Sequence, residues 1–167
     1  DTAEIQKVEM KDDVPIGRII INKKGEFLSE VSWNDMVAGA MDSIWGYVTG
    51  SLKDVTFEIY AREDIKAADG ESDDYYKKDE LVATIKTDEL GIARTDDLPL
   101  GKYYVVEKET ADGFVLDGEP RDIDLTYRDQ DTPVVTFDSE WQNSRQKAKV
   151  IVTKKEKDSD RVLEGGV

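Results

Sequence analysis

Hydrophobic and polar residues alternate along most of the chain, with the period of two that is typical of β-strands with one buried face. In the first such stretch, residues 17–23, Ile19 and Ile21 share a face with Lys23, whereas Lys24 belongs to the opposite face. Further stretches with this alternation are residues 55–60, 80–86, 92–98, 103–108, 122–127 and 134–143. Seven or so short strands indicate an all-β fold, an antiparallel β-sandwich.

Glycine- and proline-containing sequences separate these stretches and predict turns, including one at 24–26 and one at 99–101. We expect the sandwich to occupy residues 16–145. The polar residues 1–15 are predicted to be a linker or an edge extension. Residues 149–155 repeat the alternation and the paired lysines of 18–24, so residues 146–167 are predicted to begin a following repeat, truncated here.

Residues 34–48 depart from the alternation. The apolar residues of this segment follow an i, i+4 pattern with flanking i+1 positions, as on one face of a helix: Met36, Val37, Ala40, Met41, Ile44, Trp45 and Val48. We therefore predict a short helical insertion here, laid over an open side or end of a sheet. The alternative is an exposed helix that binds a partner.

The amino-acid composition excludes several classes of partner and of chemistry. The chain carries 38 acidic and 23 basic residues, a formal net charge of −15, which argues against nucleic acids and anionic membrane surfaces as partners. It contains no cysteine or histidine, so thiol chemistry and the commonest metal ligand are unavailable. No apolar run is long enough to span a membrane. We expect no cofactor and no metal.

The acidic loop at residues 64–79 has a spacing of carboxylates that can bind calcium. It lacks the full twelve-residue calcium-loop pattern with a closing glutamate, so a solvated loop is the favoured interpretation. Carboxylate catalysis, as in a glycosidase, is a further alternative, but the acidic residues show no sign of a cleft.

Glu107 is the least expected residue of the pattern. It shares a strand face with Tyr103 and Val105, so the alternation places a carboxyl group toward an apolar layer. A buried carboxylate is costly unless it has a partner or stays protonated. The alternative is that Glu107 lies at the strand end and reaches water.

Several of these sequences resemble the Cna-B (SpaA-like, prealbumin-like) domains of Gram-positive surface adhesins and pilins, over roughly residues 17–145. The most specific is the "E-box", which reads Tyr103-Tyr-Val-Val-Glu107 followed by Gly113-Phe114; Ala111 and Phe114 depart from the usual Pro and Tyr. Other similar sequences are 57–61, 96–101 and 143–147. The resemblance implies a Greek-key β-sandwich.

The resemblance also implies an intramolecular isopeptide bond between Lys23 and Asn143, assisted by Glu107 as the catalytic residue. All three fall on the apolar face of their strands, which agrees with a reactive group of buried residues. Burial would favour a neutral amine for attack on the carboxamide. Lys24 is the alternative lysine if the register differs by one residue. Lys154 is the corresponding lysine of the next repeat.

What the resemblance implies about function is a self-crosslinked stalk module of an extracellular, cell-wall-anchored adhesin or pilin-like protein, with its anchor outside this segment. Its partners would be neighbouring tandem repeats and, as a further expectation, host extracellular matrix or glycan. It would not be an enzyme beyond a single-turnover autocatalytic reaction. The alternative is a ligand-binding adhesin domain without the bond, using residues 33–45 or the acidic loop.

Overall fold

The computed structural model describes residues 14–33, 40–148 and 150–153, and these residues form ten β-strands. In chain order the strands are β1 Ile16–Trp33, β2 Ala40–Ser51, β3 Thr56–Ala61, β4 Leu81–Lys86, β5 Ile92–Arg94, β6 Leu98–Pro99, β7 Gly101–Glu109, β8 Arg121–Leu125, β9 Val134–Asn143 and β10 Ile151–Thr153.

The strands form two sheets, and the first is organised around β1. Along one edge β1 pairs with β9 in parallel, and along the other it pairs antiparallel with β6, β5 and β2. The short β10 extends this sheet beyond β2. The second sheet has the order β4-β3-β7-β8 and is antiparallel throughout. The predicted all-β sandwich is confirmed. The parallel pair of β1 and β9 is not part of the predicted antiparallel arrangement.

The core lies between the two sheets and is built from alternate residues of their strands. Because successive side chains of a strand point to opposite faces, each strand contributes every second residue to this layer. Residues of the core that are at most 2% exposed include Ile19, Ile21, Phe57, Ile59, Tyr103, Val105, Ile123 and Leu125. Burying each such side chain contributes about 1.5–3 kcal/mol.

The predicted helix at residues 34–48 is wrong, because residues 40–51 form β2 instead. β2 lies antiparallel to the second half of β1, with Val31 opposite Trp45 and Phe27 opposite Val48. The aromatic and β-branched residues of this segment favour a strand, and its two glycines weaken a helix. Pairing with the open edge of β1 then stabilises the strand. Residues 34–39 lie outside the described residues.

The turn predicted at 24–26 is also wrong, since β1 continues through it to Trp33. Gly25 lies between Gly50 of β2 and Asn143 of β9 in the sheet. A Cβ atom at Gly25 would come within 2.6 Å of the Phe114 ring, so this glycine permits a close approach of side chain to strand.

The acidic loop is stabilised by contacts within itself. Asp69 accepts hydrogen bonds from the backbone amides of Glu71 and Ser72, both at 3.0 Å. Asp74 pairs with Lys77 at 2.6 Å and with Lys66 at 3.3 Å. In the described part of the chain, no three acidic side chains are grouped so that they could hold a metal ion.

The ends of the chain are described only in part. Residues 151–153 pair with residues 40–42 as β10. Residues 1–13 and 154–167, including Lys154, lie outside the described residues. The division into a linker, a sandwich and a following repeat stays a prediction.

Within the ranges described above there is no helix that could cross a membrane.

The turn between β4 and β5 holds the backbone of Lys23. Gly91 accepts a hydrogen bond from the Lys23 amide at 2.7 Å, and the Lys23 carbonyl accepts one from Leu52 at 2.9 Å. Gly91 has a φ of +75°, and a Cβ atom there would lie 2.5 Å from the Lys23 carbonyl oxygen. Both the positive φ and the close contact require glycine.

We expect the Gly91→Ala variant to lose about 2–4 kcal/mol of unfolding free energy, from left-handed backbone strain plus the contact with Lys23. Gly70→Ala is the matched control, because Gly70 has a φ of +68° but nothing within 4 Å of a Cβ atom. That variant should lose only about 1–2 kcal/mol. Urea denaturation of both variants measures the difference, and equal losses would show that the contact is unimportant.

Candidate functional site

Three buried polar side chains lie in the core in addition to Thr87 and Thr95, which hydrogen-bond to the backbone, and all three are candidate site residues of the sequence. Lys23 is 1% exposed, Glu107 4% and Asn143 1%. They come from β1, β7 and β9, so two belong to the first sheet and Glu107 to the second. Charged residues are almost never this buried without a partner, which marks the group as a site rather than ordinary packing.

Strand register brings these residues together. In the parallel pair of β1 and β9, Lys23 lies opposite Trp141, and Asn143 is the next residue of β9 on the same face. In the second sheet, Glu107 lies opposite Phe57 of β3. A shift of one residue in any of these strands would turn the polar side chain away from the core.

The Glu107 carboxylate bridges the other two groups. Its Oε2 lies 2.6 Å from Lys23 Nζ, and its Oε1 accepts a hydrogen bond from Asn143 Nδ2. Asn143 Nδ2 donates a second hydrogen bond to Thr110 Oγ1 at 2.9 Å. Among the described residues, no group hydrogen-bonds to Asn143 Oδ1, and none lies in hydrogen-bonding geometry to Lys23 Nζ, so the contact of Lys23 with Glu107 is that of an ion pair. The amine and the carboxamide are thus held on the two oxygens of one carboxylate.

Aromatic rings surround the site and keep water out. The Lys23 ammonium lies 5.6 Å from the centre of the Phe57 ring. Trp141 meets Phe57 edge to face at 5.6 Å, and the Arg121 guanidinium covers the Trp141 ring at 4.5 Å. Such a shell lowers the local dielectric and strengthens the electrostatic interactions inside it.

Burial lowers the pKa of Lys23 below its usual value, because a desolvated ammonium is unfavourable. The neighbouring Glu107 carboxylate opposes this effect, and the net direction is still downward. A lysine with a lowered pKa exchanges its proton more readily and is a better nucleophile.

The two other predicted lysines are not part of this group. Lys24 faces away from the core and is half-buried, with its Nζ 3.5 Å from Ser51 Oγ. Lys154 lies outside the described residues.

Sequence reasoning missed Thr110. Strict alternation from Glu107 would put Thr110 on the opposite face, but β7 ends at Glu109, and the chain turns there. The turn is anchored by Phe114, which is 5% exposed and packs edge to face on Phe27 at 5.5 Å. No periodic signal could have identified a residue that enters the site from a turn.

Comparison with solved structures finds similar folds among Gram-positive pilins. The minor pilin GBS52 of Streptococcus agalactiae is 16% identical with a TM-score of 0.50, over 84% of this chain and 49% of that chain. The major pilin SpaD of Corynebacterium diphtheriae is 21% identical with a TM-score of 0.47, over 81% and 32% of the two chains. The major pilin SpaA of Corynebacterium diphtheriae is 18% identical with a TM-score of 0.48, over 78% and 31%. The chain therefore spans about half or less of each of these pilins.

A search of curated proteins returns no match. The family model of SpaA, a prealbumin-like fold domain, matches residues 47–141. The matched region includes Glu107 but ends before Asn143 and begins after Lys23. Because it covers more than half of the chain, the protein belongs to the SpaA family of prealbumin-like fold domains.

Proposed function

We propose that this domain is a structural module of a pilin-like bacterial surface protein, closed by an isopeptide bond between Lys23 and Asn143 that Glu107 promotes. The observation that carries the proposal is the Glu107 carboxylate, which contacts the amine with one oxygen and the carboxamide with the other. The proposed setting is extracellular and cell-wall-anchored, with neighbouring tandem repeats as partners.

The first chemical step prepares the nucleophile. A proton passes from Lys23 Nζ to Glu107 Oε2 across their 2.6 Å contact, which turns a buried ion pair into a neutral amine and a neutral acid. Burial supports this transfer because it disfavours both charges. The free electron pair of Nζ then attacks Cγ of Asn143, whose Nδ2 is bonded to the other oxygen of the same carboxylate.

The second step removes the leaving group. Glu107 Oε1 already accepts a hydrogen bond from Asn143 Nδ2, so the carboxyl group can return a proton to that nitrogen. The Nζ–Cγ bond forms and the Cγ–Nδ2 bond breaks. Nδ2 leaves as ammonia with the proton returned by Glu107, and the second proton that Nζ loses passes to Glu107, which ends as a neutral acid. The products are a neutral amide and ammonia, and no other reactant is needed.

A surface cavity of ≈310 Å³ is lined by residues 115–117 and 142–144. Asn143 belongs to this lining although it is only 1% exposed, so the proposed reaction would release ammonia near the surface of the domain.

The parallel pairing of β1 and β9 supports a mechanical role. Ile16 lies opposite Val134 and Asn143 lies opposite Gly25, so Ile16 and Asn143 are at opposite ends of this strand pair. A bond from Lys23 to Asn143 would carry tension along β1 and straight out of β9. It would close a loop of about 120 residues, worth about 4–5 kcal/mol by the chain-entropy account of crosslinks.

Exposed apolar residues favour a second candidate, a domain that binds a host protein or glycan. Trp33 is 48% exposed and Ile44 50% exposed on the extension formed by β1 and β2. Such residues suit a binding surface. This function does not need the crosslink and becomes the leading one if the bond does not form.

The intact mass of the denatured chain tests the bond directly. We expect the parent chain to be lighter than its sequence mass by one ammonia, about 17 Da. Glu107→Ala and Lys23→Arg should each have their full mass, because one removes the proton carrier and the other the nucleophile. Lys24→Arg is the matched control and should lose ammonia like the parent. A parent of full mass would disprove the crosslink.

The lowered pKa of Lys23 can be measured in the Asn143→Leu variant, which cannot crosslink. We expect Lys23 to titrate below the usual 10.5 and the exposed Lys53, paired with Glu89, to titrate above it. Between the lowered pKa and 10.5 the unfolded chain binds more protons, so the Lys23 contribution to stability rises with pH there. NMR of the lysine Cε carbons measures both values; a Lys23 value at or above that of Lys53 would contradict the proposed activation.

Single-molecule pulling between the chain termini tests the mechanical role. In Lys23→Arg, unfolding should release residues 24–142, about 400 Å of extended chain. In the parent this length should stay hidden behind the crosslink, and no such step is expected. A parent that releases the same length as Lys23→Arg would show that tension is not carried by a Lys23–Asn143 bond.

A further inference from the structure

We propose that Thr110 is a positioning residue for the crosslinking reaction, because its hydroxyl fixes the orientation of the Asn143 carboxamide. This inference rests on the proposed function, since it assigns a new residue to the same site. It is drawn from the hydrogen bond that Asn143 Nδ2 donates to Thr110 Oγ1 at 2.9 Å.

The carboxamide has two N–H groups, and each has its own acceptor. One donates to Glu107 Oε1 and the other to Thr110 Oγ1. A single hydrogen bond would let the carboxamide plane pivot about that bond, whereas two acceptors on the same nitrogen fix the plane. The face of Cγ that the Lys23 amine attacks is thereby fixed as well.

The ionised Glu107 decides which end of the carboxamide lies beside it. An ionised carboxylate can only accept hydrogen bonds and therefore selects Nδ2, whereas a hydroxyl can donate or accept. Thr110 adds a second contact to the nitrogen that Glu107 has selected, so the leaving nitrogen stays beside the acid that must protonate it.

The local structure can hold Thr110 firmly enough for this role. Thr110 follows the last residue of β7, and Glu109 is still paired with Thr56 of β3. On the other side, the Phe114 amide donates a hydrogen bond to the Ala111 carbonyl at 3.2 Å, and the Phe114 ring is buried. Thr110 is half-buried between these two anchored points.

The test measures the rate of bond formation in the full chain. Each variant is synthesised in a cell-free reaction, samples are quenched in acidic denaturant, and the fraction lacking one ammonia is read from intact mass. Thr110→Val keeps the shape but removes the hydroxyl, and we expect roughly tenfold slower bond formation, the size of one lost neutral hydrogen bond. Thr110→Ser restores the hydroxyl and should react at nearly the parent rate.

Thr56→Val is the matched control. It removes a half-buried hydroxyl that donates to Glu109 at 3.4 Å but keeps the backbone pairing of Thr56 with Glu109. Thr56 is not a hydrogen-bond partner of the Asn143 side chain, so the rate of this variant should equal that of the parent. Each valine change is also made in the Glu107→Ala background, where no bond can form and urea unfolding shows structural effects alone. Thr110→Ala serves as a second variant and should be slow like Thr110→Val.

The outcomes separate this inference from the proposed function. If the parent never loses ammonia, the proposed function fails. If the parent reacts and Thr110→Val and Thr110→Ala keep its rate, only the role of Thr110 is wrong. The role is also wrong if Thr110→Ser is as slow as Thr110→Val, or if the slowing matches a loss of stability in the Glu107→Ala background.

Discussion

The structure depends on one electrostatic constraint, the burial of a lysine and a glutamate between two apolar sheets. Neither charge could be left alone there, because an isolated ion in the core costs many kcal/mol. The 2.6 Å contact of Lys23 and Glu107 joins the two sheets at this point, and Asn143 completes the group. A buried ion pair is a poor way to gain stability. The proposed crosslinking reaction would remove both charges from the core.

This constraint explains why β1 is the organising strand. β1 supplies Lys23, pairs with β9 to bring in Asn143, and continues past Gly25 because that glycine leaves room for Phe114. The turn at Gly91 fixes the Lys23 backbone from the other side. Small residues and close contacts around Lys23 therefore hold β1 in register with its neighbours, and this register brings the site residues together.

In the proposed reaction, proton transfer and orientation belong to different residues. Glu107 would use its two oxygens to take a proton from one group and return it to another, while Thr110 would hold the carboxamide plane without adding a charge. A carboxamide already oriented in a buried site would need little reorganisation when the amine attacks. The surface ion pairs, such as Lys53 with Glu89, are solvent-exposed and contribute little beside this.

The sequence by itself determined the all-β fold and the faces of its strands, because a period of two is a local property. It put Lys23, Glu107 and Asn143 on apolar faces and separated Lys23 from Lys24 by parity alone. It misassigned residues 40–48, whose apolar spacing fits a helix as well as a strand.

Only the tertiary structure decided the rest. The open edge of β1 made residues 40–51 a strand, and the parallel pairing of β1 and β9 put Ile16 and Asn143 at opposite ends of this strand pair. Thr110 enters the site from a turn, where periodicity no longer indicates direction. These features depend on contacts between residues far apart in the chain, and a local pattern carries no information about them.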